Sequence, residues 1–118
     1  MKKNIKTEKR MRLKNKIRSK IFGTFERPRL SIFRSNKFIY AQVIDDTKGI
    51  TLAEANDLKI LKNNKSTKTE RAKKVGNMIA EASLKLKIYK VVFDRNGFKY
   101  TGRIKLVADQ ARAGGLKF

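Results

Sequence analysis

The stretch Leu30-Ser31-Ile32-Phe33-Arg34-Ser35-Asn36-Lys37-Phe38-Ile39-Tyr40-Ala41-Gln42-Val43-Ile44 reads as a β-hairpin. Leu30 to Phe33 is rich in β-formers, and Arg34-Ser35-Asn36-Lys37 supplies turn chemistry. Phe38 to Ile44 then forms a second strand, with Ile39, Ala41 and Val43 on one face and Tyr40 and Gln42 in the opposite phase. Upstream, Arg27-Pro28-Arg29 marks the entry, because proline disfavours helix at the preceding residue and is tolerated at a strand start. Downstream, Asp45-Asp46-Thr47-Lys48-Gly49 is a second turn cluster. Ile50 to Glu54 alternates apolar with small or polar residues, which predicts a third strand and therefore an antiparallel meander.

Beyond the meander, Asn56 to Lys68 is polar and lysine-rich, reading as a surface loop. Thr67 with Glu70 three residues later makes a capping box. Ala72, Val75, Gly76, Ile79, Ser83 and Leu86 share one face of the helix that follows, leaving Lys73, Lys74, Asn77, Glu81 and Lys85 for the other. The short run Val91-Val92-Phe93 suits a buried strand beside the meander, reached through the helix as a crossover. Phe98 to Thr101 is expected to extend or pair locally. Ile104 to Ala113 predicts a last helix with Val107, Ala108 and Ala111 inward. Gly114-Gly115 should end it with left-handed backbone, and Leu116 and Phe118 should fold back onto apolar surface. The expected fold is α/β: a single domain with a mixed sheet, a three-strand antiparallel meander followed by helix, strand and helix.

Ahead of this domain, Met1 to Lys20 holds ten Lys or Arg and one acid, Glu8, while Leu13, Ile17 and Ile21 recur at helical spacing. A helix with one thin apolar stripe and cationic faces gains little from burial in isolation, so it is expected to order on a partner. The division is a basic N-terminal helical arm over 1–24 and a globular domain over 25–118. The bland alternative is a solubilising tail.

With 118 residues the chain has room for one core, and 31 Lys and Arg against 10 Asp and Glu leave a net charge of +21. That charge calls for a polyanion. Cysteine and histidine are absent, which removes disulfides, the usual zinc sites, thiol nucleophiles and imidazole acid-base chemistry. No apolar run approaches the ~18 residues of a membrane span, nor does a signal-peptide core follow the positive start. A soluble, non-secreted protein is expected, with no cofactor and no metal.

Arg27, Arg29, Arg34 and Lys37 are expected near one end of the hairpin, continuing a cationic track from the arm residues Lys9, Arg10, Arg12, Lys14, Lys16 and Arg18. RNA recognition adds aromatic stacking and neutral donors to phosphate contacts. Tyr40 and Gln42 on the second strand and Ser35 and Asn36 at the turn supply those types; a half-buried sheet aromatic and a simple turn residue are the plainer readings of Tyr40 and Asn36. A second cluster joins Asp94-Arg95-Asn96-Gly97 to Tyr100-Thr101-Gly102-Arg103, where glycines permit a close backbone approach. Asp94 is expected to orient Arg95 or to cap backbone amides.

Several strings, taken in order, resemble one family. They are Arg27-Pro28-Arg29-Leu30, Arg34-Ser35-Asn36-Lys37 with Ile39-Tyr40-Ala41-Gln42, Phe93-Asp94-Arg95 with Gly97, Tyr100 with Gly102-Arg103, and Gly114-Gly115-Leu116-Lys117-Phe118. The chain is similar along its whole length to bacterial-type large-subunit ribosomal protein eighteen, a 5S rRNA-binding family. The resemblance implies a ribonuclease H-like motif and no enzymatic activity. It also implies attachment of 5S rRNA to 23S rRNA in the central protuberance, beside neighbouring ribosomal proteins, in a bacterial cytoplasm or an organelle with bacterial-type ribosomes. The RNA-binding positions it implies are the arm's basic residues, Arg34 to Lys37 with Tyr40 and Gln42, and Asp94-Arg95 through Tyr100, Gly102 and Arg103. Asn96 stands where a second glycine is frequent and Thr101 where histidine is frequent.

Three other classes compete with structural rRNA binding. One is a general RNA- or DNA-binding basic protein. Another is a metal-dependent nuclease using Asp45, Asp46, Asp94 and Asp109. The third is a polybasic membrane binder, which the narrow apolar stripe of the arm disfavours.

Overall fold

Across the hairpin Leu30 faces Val43 and Ile32 faces Ala41, and all four side chains are fully buried. These pairs fix the register of β1 (Arg29–Arg34) against β2 (Ile39–Asp45), because a slip of one residue would turn the apolar set outward. The structure, a computed structural model, describes residues 5–18, 20–35, 38–58 and 67–118. Before the hairpin lies α1 (Ile5–Arg18). After it come β3 (Ile50–Asn56), α2 (Lys68–Lys85), β4 (Val92–Asp94) and α3 (Gly102–Ala113).

The sheet has the order β3-β2-β1-β4, with the first three strands antiparallel and β4 parallel to β1. This is the expected meander with α2 as the crossover. Three strand expectations need correction. The alternation in β3 is interrupted by an irregularity beside Val43 and Ile44, where Val43 pairs with Ala53 and Ile44 with Thr51, so Leu52 is the extra residue. The fourth strand lies at an edge, with Val91 buried just before it and Val92 and Phe93 only half-buried. Phe98 to Thr101 forms no strand.

Thr67 caps α2 as its spacing predicts, its Oγ1 accepting from the Glu70 amide at 3.2 Å. Ala72, Val75, Gly76, Ile79 and Ser83 are buried, while Leu86 falls just past the helix and is exposed. Arg71 joins the buried face because Asp57 neutralises it at 3.1 Å; the same carboxylate accepts from the Ile39 amide, tying the start of β2 to α2. On α3, Ile104, Val107, Ala108 and Ala111 point inward. Burying a side chain such as Ile79 or Val107 stabilises by about 1.5–3 kcal/mol.

Two glycines set how closely α2 and α3 approach. A Cβ on Gly76 would lie 2.6 Å from the Gln110 Cβ and 2.7 Å from the Val107 carbonyl oxygen. One on Gly114 would lie 2.5 Å from the Ala80 Cβ. Gly114 has ordinary helical backbone, with φ of −76°, so the expected left-handed cap belongs to Gly115 alone, at φ 117°. Leu116 and Phe118 do fold back, Leu116 buried and the Phe118 ring stacked on Phe93 at 5.5 Å.

Gly76→Ala tests the helix contact. Alanine's better helix propensity would add about 1 kcal/mol, but forcing apart two packed helices costs about 1–3 kcal/mol. A net loss is expected in urea unfolding; a higher midpoint would show that the helices separate freely.

Candidate nucleic-acid interface

β1 carries an arginine into the body of the protein. Arg29 donates from Nε and Nη2 to the two oxygens of Asp46, at 3.0 and 3.1 Å, and from Nη1 to Asp94 at 2.8 Å. Asp94 is fully buried and also accepts from the Asn96 amide at 2.9 Å. It therefore caps a backbone amide, as one of the two expectations had it, but its cation is Arg29; Arg95 bonds the Phe98 carbonyl at 3.2 Å. Burial opposes the charge on Arg29, and the bonds and charges of Asp46 and then Asp94 outweigh it, leaving its pKa above the ordinary arginine value. The Arg29 hydrogen bond in turn holds the Asp46 carboxyl below the usual aspartate value, against burial and with help from the Gly23 amide and the charges of Arg29 and Arg18.

The arm meets the body at the middle of α1 and at its C-terminal end. Arg18 donates to the Ile21 carbonyl at 3.1 Å and approaches Asp46 at 3.5 Å. Eight residues earlier, the Arg10 guanidinium lies 4.9 Å from the Phe98 ring centroid and 5.9 Å from that of Phe33. The backbone of α1 presses on the turn at Gly97, where a Cβ would run into the Arg10 carbonyl and come 3.0 Å from the Lys14 amide nitrogen. The close approach that Gly97 permits is thus made by the arm itself. Ile21 lies outside α1, so the apolar stripe of the helix ends at Ile17.

The cationic residues divide by position. Arg29 begins β1 and Arg34 ends it, about 17 Å apart at the usual strand rise. They do not share one end of the hairpin. Arg27 is exposed on the Arg29 side. Asn36 and Lys37 lie outside the described residues. Arg34 places its guanidinium 5.4 Å from the Phe98 ring, and Arg103, in the first turn of α3, donates to the Ser35 carbonyl at 3.3 Å. Arg10, Arg34, Ser35 and Arg103 therefore come together around a cleft of about 570 Å³, floored by Phe33 and Phe98. Lys9 lines the adjoining groove with Gly97 and Lys99, while Arg12 and Lys16 are exposed and Lys14 is half-buried on α1.

Tyr40 and Gln42 are half-buried on the sheet face opposite α2 and α3, facing Phe33 and Ser31 across the register. The Tyr40 ring lies 6.4 Å from Phe38. Tyr100 is drawn into a separate cluster, its ring edge on Phe93 at 5.6 Å and its hydroxyl accepting from Arg112 at 2.9 Å. Gly102 starts α3 with φ of 57° and open space around it. Sequence reasoning did not single out Phe33 and Phe98. Counting the hairpin register across from Tyr40 identifies Phe33; nothing local identifies Phe98.

The four acids weighed for metal chemistry are dispersed. Asp46 and Asp94 serve Arg29, Asp45 is buried against Thr47, and Asp109 lies 3.9 Å from Arg112 on α3. Among the described residues no three acids gather as a metal site, and none of the helices is long and apolar enough to cross a membrane.

Residues 4–118 match the family model described as ribosomal L18 of archaea, bacteria, mitochondria and chloroplast. The chain is 56% identical over 113 residues to large ribosomal subunit protein uL18 of Bacteroides thetaiotaomicron, covering 96% of this chain and 97% of that protein. It is 53% identical over 121 residues to the protein of the same name from Thermotoga petrophila, covering 100% and 99%. With that of Porphyromonas gingivalis the identity is 55% over 113 residues, covering 96% and 97%.

Two measurements test the buried ion pairs. Arg29→Leu leaves Asp94 without its cation and Asp46 with Arg18 alone, and is expected to lower stability by about 3–5 kcal/mol in urea unfolding at neutral pH. Stability unchanged by that substitution would mean that the pairing is incidental. The lowered Asp46 pKa implies a contribution fully present above the unfolded aspartate value of 3.8 and lost as pH falls through the lower folded value. Asp46→Asn should therefore flatten that part of the acid-side decline; parallel pH curves for the two proteins would contradict it.

Proposed function

Because the chain belongs to the ribosomal L18 family, we propose that it binds 5S rRNA and helps attach it to 23S rRNA in the central protuberance of the large subunit, beside neighbouring ribosomal proteins. It is a structural constituent of the large ribosomal subunit and not an enzyme. The bacterial origin of its relatives favours a bacterial cytoplasmic ribosome.

The observation that carries the RNA reading is the gathering of Arg10, Arg34 and Arg103 around the Phe33 and Phe98 rings, next to a sheet face bearing Tyr40 and Gln42. Guanidinium groups bind phosphate in bidentate fashion, and aromatic faces accept unstacked bases. The arm, residues 1–24, supplies phosphate contacts from Lys9, Arg10, Arg12, Lys14, Lys16 and Arg18. The body, residues 25–118, supplies selectivity through the hairpin turn, including Asn36 and Lys37, and through Arg95, Gly102 and Arg103. Arg29 acts indirectly by positioning β1, since each of its three guanidinium nitrogens donates to a carboxylate within the protein.

Filter binding at near-physiological salt, comparing 5S rRNA with an unrelated RNA of equal length, tests this. The protein should prefer 5S rRNA; equal affinities would reduce it to a general basic binder. Removing residues 1–20 should weaken binding and make the slope of log affinity against log salt shallower by about 0.7–0.9 for each phosphate that the arm neutralises.

A further inference from the structure

Two groups of arginines in this chain are treated in opposite ways. Arg29 is surrounded by carboxylate oxygens of Asp46 and Asp94. Arg10, Arg34 and Arg103 surround a cleft whose described lining, completed by Thr7, Phe33, Ser35 and Phe98, contains no acid. Phe98 lies under Arg10 and Arg34, and its π-face offsets part of their charge without providing an oxygen acceptor for the N–H groups. Arg103 reaches one carbonyl, that of Ser35, while its Nη1 is buried with no partner among the described residues. Asp57, whose charge reaches Arg103, is itself held by Arg71 and the Ile39 amide. Burial first, and then the like charge of Arg34, depress the pKa of Arg103.

From this geometry we infer that the cleft binds a phosphate group between the arm and the body, and that the bound phosphate holds the arm docked. The inference rests on the RNA-binding reading and deepens it. Three guanidinium groups around one opening suit a ligand with several anionic oxygens, which accepts from more than one fork at once. Arg10 is the only member of the three that comes from α1, so the site is complete only when α1 lies on the Gly97 turn. Without an anion the three positive charges oppose that docking. With an anion among them the same charges favour it.

A ligand that binds the docked state alone shifts the docking equilibrium by mass action. At ten times its dissociation constant the docked-to-open ratio rises about elevenfold. The site thereby makes arm ordering conditional on a phosphate in one place, which unspecific neutralisation of the arm's charge would not do.

Hydrogen exchange of the α1 amides in the full chain tests this. The probes are inorganic phosphate, a uridine dinucleotide carrying one phosphodiester, and sodium chloride at matched ionic strength. Protection of residues 10–18 should rise about elevenfold at ten times the dissociation constant of an effective phosphate probe. A response to the dinucleotide identifies RNA backbone as the source, and a response confined to inorganic phosphate identifies a free or terminal phosphate. Arg34→Gln and Arg103→Gln should each abolish the gain; Arg34 is exposed, so its variant reports binding without disturbing the core. Equal protection by chloride, or an undiminished phosphate response in both variants, would overturn the inference. The 5S rRNA reading fails on a different result, equal affinity for the two RNAs, so either conclusion can fall while the other stands.

Discussion

The structure depends on a largely buried arginine that is shared by three parts of the chain. Arg29 opens the inner strand β1, Asp46 follows the end of β2, and Asp94 closes β4. Their contacts fix the parallel strand beside β1 as the antiparallel hairpin cannot, since β4 is only three residues long and pairs through Arg29, Leu30 and Ser31. Asp46 also accepts from the Gly23 amide at 2.8 Å, and the Asp46 amide donates to the Gly23 carbonyl at 3.0 Å. The residue that neutralises Arg29 therefore also anchors the chain where it leaves the arm. Removing charges from water is costly, and an apolar replacement of all partners could stabilise as well. What the ion pairs add is direction, because only one placement of β1, β4 and the arm's exit satisfies them together.

A second constraint is close packing where side chains are missing. Gly76 and Gly114 let α2 and α3 meet, and Gly97 lets α1 lie on the turn after β4. The same turn uses Asn96 at φ 52°, a position asparagine tolerates, and Asn96 Nδ2 donates to Ser31 Oγ at 2.7 Å and to the Ile32 carbonyl at 2.9 Å. Departure from glycine at Asn96 thus adds two bonds back to β1. The phosphate-binding cleft follows from this packing, since the turn presents Phe98 to arginines arriving from α1 and β1.

How much was legible in the sequence depended on the range of the physics. Alternation in Leu30 to Ile44, the Thr67 cap and the apolar face of α2 are local properties, and each produced its element. Single-sign charge in the arm identified a polyanion partner for the same reason, because self-repulsion does not depend on folding. Burial of Arg71 and the loss of alternation in β3 depended on Asp57 and on the irregularity at Leu52, both set by neighbouring strands.

By itself the sequence determined that this protein has one small α/β domain, a cationic arm and the motifs of its family. Only the tertiary structure decided which arginines are internal. Arg29 and Arg34 look alike in the hairpin, yet one meets carboxylates from positions 46 and 94 while the other meets an aromatic ring and two further arginines. Charge is a property of a residue, but whether it is neutralised within the fold or left for a ligand depends on partners brought together over long separations in the chain.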